Sequence, residues 1–101
     1  SLELMRLHTR ASILSHVILD ERFALFLLDL SGRASKLGLS PKNLRLSMSR
    51  SDIASYLGTT IETVSRIIAR FNQSKIGVIV GRDVEIYDTN ELMKRLVEER
   101  T

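Results

Sequence analysis

Glu62, Ser65 and Arg66 carry the groups best suited to specific recognition. A carboxylate only accepts hydrogen bonds, a guanidinium donates as a planar fork, and a hydroxyl does either. With Ala69 and Arg70 these residues stand at i, i+3, i+4, i+7 and i+8, the spacing of one helix face. Such a set matches base edges. Glu accepts from cytosine N4, Arg forks onto guanine O6 and N7, and Ser serves either base. The competing reading is a solvated face on which Glu62 and Arg66 form an i, i+4 ion pair, worth about 0.2–0.5 kcal/mol.

The elements around this face decide between the two readings. From Arg50 to Phe71 the chain reads as two short helices joined by a tight turn. Ile53, Ala54 and Leu57 put an apolar stripe on the first, and Val64, Ile67, Ile68 and Phe71 put one on the second. Ala54 is small where two helices must cross closely, and Gly58 suits a turn needing positive φ. Thr60 supplies an N-cap hydroxyl for the second helix. This is the helix-turn-helix arrangement, whose second helix lies in the DNA major groove and meets base edges with its first turns. Glu62, Ser65 and Arg66 fall in those turns.

LGTTIETVSRIIARF, with LRLSMSRSDIASYLG before it, resembles the DNA-binding domain of the Crp/Fnr family of bacterial transcription regulators. The run Glu62-Thr63-Val64-Ser65-Arg66 is similar to the Fnr branch, in which Glu, Ser and Arg at this spacing read a TTGAT-type half-site. The cyclic-AMP receptor branch has Gly where this chain has Ser65. The resemblance covers nearly the whole chain and is weakest in the last fifteen residues. It implies a cytoplasmic, homodimeric regulator of activator type that meets double-stranded DNA and RNA polymerase. Activation or repression would depend on operator position. Phosphate contacts would fall to Ser49, Arg50, Ser51, Thr60, Thr63, Arg70 and Arg82. One departure stands out: where the family has Gly at the end of the recognition helix this chain has Lys75, with Gly77 two residues later.

Charge supports the nucleic-acid reading. Residues 33–82 hold nine basic groups and two acids, a balance of +7, while the remainder carries −4. The excess sits on the helix-turn-helix and its flanks, the footprint of phosphate binding. At 101 residues there is room for one domain and one modest core. The absence of cysteine excludes a disulfide framework, a thiolate metal site and a cysteine nucleophile in this segment. No apolar run approaches the roughly 18 residues of a membrane span, and no secretory leader is evident. Neither paired carboxylates, a phosphate-binding glycine loop nor a nucleophile with a base suggests an enzyme.

The chain opens inside a helical pattern. Leu4, Leu7, Ala11, Leu14 and Ile18 recur at steps of 3, 4, 3 and 4, a heptad seam that suggests helix pairing or an amphipathic helix packed on its own domain. In the Crp/Fnr family a long dimerisation helix occupies this place. The resemblance therefore implies a fragment that starts within that helix and follows an N-terminal sensor domain. Such a domain would hold an iron–sulfur cluster, haem or a small effector, with no cofactor in this segment. His8 and His16 lack a third ligand and make a poor metal site. Asp20 is expected to cap a second helix, Glu21 to about Lys36, and to mark a hinge. Phe23, Phe26, Leu27, Leu30 and Ala34 form the stripe of that helix, widened by Ala24 and Leu28. Gly38, Ser40 and Pro41 then turn the chain.

Leu44, Leu46 and Met48 alternate with Arg45 and Ser47, as in a short half-buried strand. Ser49 with Asp52 resembles a capping box, so Ser49, Arg50 and Ser51 gather donors at a helix N-terminus. Ile76–Val80 and Val84–Tyr87 read as strands around Gly81-Arg82-Asp83, a hairpin placed as a wing, with Arg82 at its tip. Thr89 is expected to cap a last helix through Glu99, with Leu92, Leu96 and Met93 inward.

The expected fold is mainly α with small antiparallel β: a winged helix-turn-helix over residues 20–101, preceded by part of a dimerisation helix over 1–19. The expected function is sequence-specific DNA binding as a regulator's output domain. The alternative is a winged-helix protein–protein interaction module, which would need neither the displayed Glu62, Ser65 and Arg66 nor +7 around them.

Overall fold

The computed structural model describes the backbone of residues 2–100 and the side chains of 17–94. The elements run α1 (Leu2–Lys36), β1 (Asn43–Arg45), α2 (Arg50–Leu57), α3 (Ile61–Gln73), β2 (Gly77–Val80), β3 (Asp83–Ile86) and α4 (Thr89–Arg100). The three strands form one antiparallel sheet in the order β1-β3-β2. This is the winged helix-turn-helix expected from the pattern.

α1 corrects one expectation. It is a single helix of 35 residues, so Asp20 does not cap a second one. No Gly or Pro lies between Leu2 and Ser31 to break the helical hydrogen-bond ladder. The Asp20 carboxylate is taken up by Arg70 and is not turned onto the backbone. At about 1.5 Å rise per residue, α1 is roughly 52 Å long. The side chains of Leu4, Leu7, Ala11 and Leu14 lie outside the described residues, as do those of His8 and His16. Ile18, the last member of the seam, is 48% exposed.

The core forms where the apolar stripes meet. Phe23, Ala24, Phe26 and Leu27 of α1 pack with Ile53, Ala54 and Leu57 of α2, and with Val64, Ile67, Ile68 and Phe71 of α3. Leu44, Leu46, Ile79, Val84, Ile86 and Leu92 close it from the sheet and α4. Burying a side chain of this kind contributes about 1.5–3 kcal/mol. Phe23 and Phe71 meet edge-on, with ring centroids 6.1 Å apart and planes at 81°. Ser31, the buried polar residue of the described part, donates its hydroxyl to Pro41 O at 2.6 Å and holds the loop after α1.

Strand limits differ slightly from the expectation. β1 ends at Arg45, three residues before the expected Met48, although Leu46 stays buried and donates its N–H to Arg82 O at 2.7 Å. Val80 pairs with Asp83, so the wing turn is Gly81-Arg82 alone and Asp83 belongs to β3. α4 is capped by Asp88, whose carboxylate accepts from Asn90 N–H at 2.9 Å; Thr89 is already helical. Leu92 is buried, but Met93 is 54% exposed, because one step along a helix turns a side chain about 100° away. Leu96 lies outside the described side chains.

Candidate nucleic-acid interface

Caps set the start of both motif helices. Ser49 Oγ accepts from Asp52 N–H, and the Asp52 carboxylate accepts from Ser49 N–H, each at 3.1 Å. The expected capping box is therefore closed. The hydrogen bond from the Ser49 backbone is the main reason the Asp52 carboxyl lies below the usual carboxylate range; the Ser49 hydroxyl and the charge of Arg82 add to it. Gly58 ends α2 at φ 75°, and Thr59 N–H reaches back to Ala54 O at 2.9 Å, a Schellman-type closure. Thr60 Oγ1 accepts from Thr63 N–H at 3.2 Å and so starts α3. Its hydroxyl also donates to the Thr63 hydroxyl at 3.1 Å.

Past this cap, Val64, Ile67, Ile68 and Phe71 are buried, which turns Glu62, Ser65, Arg66 and Ala69 out to solvent. Glu62 and Arg66 do not form the i, i+4 pair of the competing reading. Among the described residues, Glu62, Ser65 and Arg66 make no side-chain hydrogen bond or ion pair. Among the seven described arginines, only Arg66 is unpartnered. Arg33 and Arg45 pair with Asp29 and Asp83, and Arg22 approaches Leu57 O at 3.5 Å.

The other arginines expected to meet phosphate are engaged within the fold. Arg50 donates through Nη2 to Gly81 O at 2.6 Å, and Arg82 donates through Nη1 to Ser47 O at 3.2 Å. These two bonds cross between the N-terminus of α2 and the wing tip. They bring Ser49, Arg50, Ser51 and Arg82 into one neighbourhood. A guanidinium has five N–H donors, so each keeps several for a ligand. Arg70 instead forks onto Asp20, with Nε and Nη2 at 3.0 and 2.7 Å from the two carboxylate oxygens. That hydrogen bonding makes the guanidinium even harder to deprotonate than usual.

Two structural devices escaped the sequence reading. The Asn72 side chain accepts from Ile79 N–H at 2.8 Å and donates to Ile79 O at 3.1 Å. It thereby satisfies β2, an edge strand, from the last turn of α3. A lone Asn near a helix end carries no signal for such a contact. The Asp20–Arg70 fork spans 50 residues and was equally hidden. The departure at Lys75 has a clear outcome: Lys75 itself takes the left-handed conformation, φ 62°. Gly77 serves a different need. A Cβ there would lie 2.3 Å from Glu85 O and 3.0 Å from the Phe71 ring, so only glycine lets β2 approach β3 and α3 this closely.

A family model described as the Crp-like helix-turn-helix domain matches residues 21–95. Over 82 residues the chain is 45% identical to the fumarate and nitrate reduction regulatory protein of Vibrio cholerae, covering 81% of this chain and 33% of that protein. It is likewise 45% identical over 80 residues to the transcriptional activator protein Anr of Pseudomonas aeruginosa, covering 79% of this chain and 33% of the relative. The chain thus spans about a third of the length of these curated relatives. Among solved structures, FixK2 from Bradyrhizobium japonicum matches with TM-score 0.64 and 34% identity, over 75% of this chain and 37% of that one. DNR from Pseudomonas aeruginosa matches with TM-score 0.78 over 93% of this chain and 40% of that one; at 24% identity this likeness shows the fold alone. With its folded helix-turn-helix, its wing and these relatives, the chain belongs to the Crp-like helix-turn-helix domain family.

Proposed function

We propose that α3 reads base edges in the major groove of a two-fold symmetric operator with TTGAT-like half-sites, through Glu62, Ser65 and Arg66. The observation that carries this reading is that these three side chains are exposed and have no partner among the described residues, while the other described arginines are engaged. Unspent donors and acceptors on the first turns of a recognition helix are what base reading requires. Ser49, Arg50, Ser51, Thr60, Thr63 and Arg82 supply phosphate contacts that set register without reading sequence. The mechanism is differential binding, with no bond made or broken.

The full regulator is proposed to act as a cytoplasmic homodimer of activator type that meets RNA polymerase. Leu4, Leu7, Ala11, Leu14 and Ile18 would form the paired seam, with the dimerisation helix over 1–19 and the DNA-binding domain over 20–101. The continuation of α1 well before residue 21, where the family match starts, supports such a helix. A sensor domain N-terminal to this segment would carry an iron–sulfur cluster, haem or small effector.

The test is competition binding against all single-base variants of the half-site at fixed salt. Arg66→Ala is expected to cost about 1–3 kcal/mol on the matching site and to relax preference at one base pair. Glu62→Ala should also broaden preference. Because it removes a negative charge, it should hold or raise affinity for scrambled DNA. If both variants keep the wild-type base preference, α3 is not the reader. A winged helix that bound only protein would show no salt-dependent DNA affinity to begin with.

A further inference from the structure

We infer that Asp20 and Arg70 are positioning residues for the reading helix: their fork fixes how α3 sits against α1, so that Asp20 influences DNA specificity without touching DNA. The inference rests on the proposed reading role of α3. Arg70 lies one helical turn beyond Arg66 and next to Phe71, and Asp20 lies one turn before Phe23. The fork and the Phe23–Phe71 contact therefore stand side by side across the same helix pair. The aromatic contact and the apolar core around it supply buried area, with weaker directional preference than a charged hydrogen-bonded pair. A bidentate guanidinium–carboxylate pair is planar and directional, and adds an angular constraint between the two helices. Both partners are partly shielded, with side chains 35% and 31% exposed, so solvent screens this pair less than the Arg45–Asp83 pair, at 73% and 75%. Among the described residues it is the ion pair that joins α1 to α3. Arg70, although basic and near the reading face in sequence, is thereby assigned to the fold and not to DNA phosphate.

The consequences differ from those of a phosphate contact. A strut predicts that Asp20→Ala and Arg70→Ala behave alike. Each should lower the ratio of specific to scrambled-DNA affinity by about three- to tenfold, the size of a coupling between contacting charged groups. The double variant should be no worse than either single one, and the swapped pair Asp20→Arg with Arg70→Asp should recover part of the ratio. A phosphate contact predicts opposite signs: Arg70→Ala weakens binding to all DNA and lowers the salt slope by about one, while Asp20→Ala strengthens it. That pattern would overturn the inference.

A second measurement needs no DNA. The chain contains no cysteine, so spin labels can be placed uniquely at Leu25→Cys on α1 and Gln73→Cys on α3, both exposed positions. The distance distribution between them should be narrow in the otherwise native chain, broader with Asp20→Ala, and narrower again in the swapped pair. An unchanged distribution with Asp20→Ala defeats the strut, whatever the DNA results. A broadened distribution in a chain that shows no base preference keeps the strut and defeats the reading role of α3 instead.

Discussion

The outer face of α3 and the junction between α2 and the wing are both rich in hydrogen-bonding side chains, yet they treat those groups in opposite ways. On α3, Glu62, Ser65 and Arg66 have no side-chain partner among the described residues. At the junction, Arg50 donates to Gly81 O and Arg82 to Ser47 O, and Ser49 and Asp52 close a capping box. The difference fits the roles proposed for the two regions. A group that reads bases has to exchange water for a base edge, so an internal partner would have to be broken first. A region that sets register gains from being stiff, because a fixed wing places its remaining donors at no further entropic cost.

The sharpest way to break this contrast is to remove one arginine from each region. Arg50→Ala should weaken binding to specific and scrambled DNA alike and lower the salt slope by about one unit. Arg66→Ala should act mainly on the matching site, by about 1–3 kcal/mol. Titrations at several salt concentrations check both. A loss with Arg50→Ala confined to the specific site would mean that the junction reads sequence and that the contrast is false.

A smaller effect sharpens it. Lys75 forms the turn between α3 and the wing in a left-handed conformation that costs a non-glycine residue about 1–2 kcal/mol. Lys75→Gly relieves that strain but adds freedom to the unfolded chain, so the expected net gain is about 1 kcal/mol. Thermal unfolding should then move up by about 4–8 °C. Base preference should not change. A shift in preference would show that this turn's geometry is transmitted to the outer face of α3.

The smallest effect concerns pH. The Asp52 carboxyl titrates lower in the folded chain than its ordinary value of 3.8, chiefly through the hydrogen bond from the Ser49 backbone. A depressed folded value means that the stabilisation is present above the unfolded value and is lost as pH falls through the folded one. Asp52→Asn should therefore be slightly less stable than the wild-type chain at neutral pH, with the gap closing below pH 3.8. Paired melting curves down the acid range check this; a gap that persists in acid would mean that the charge is not what closes the box.

The helix-turn-helix was fully legible in the sequence. Its information is local: stripes of period 3.6, Ser49 and Thr60 as caps, and Gly58 at a turn that needs positive φ. The outward face of α3 followed from the same periodicity, because burying Val64, Ile67, Ile68 and Phe71 leaves only one direction for Glu62, Ser65 and Arg66. Alternation likewise marked the two wing strands to within a residue, but carried the first strand on to Met48, three residues past the end of β1. Tertiary structure decided how acids and bases were paired. A carboxylate at Asp20 suits an N-cap, a surface position or an ion pair equally well. Only the packing of α1 against α3 brought Arg70 within reach and made it a fork inside one continuous helix. Arg50 and Arg82 gave no sign that they would hold the wing, and Asn72 none that it would satisfy Ile79. Periodic burial is written along the chain. Partners separated by 7 to 50 residues are chosen by distances that exist only once the core has closed.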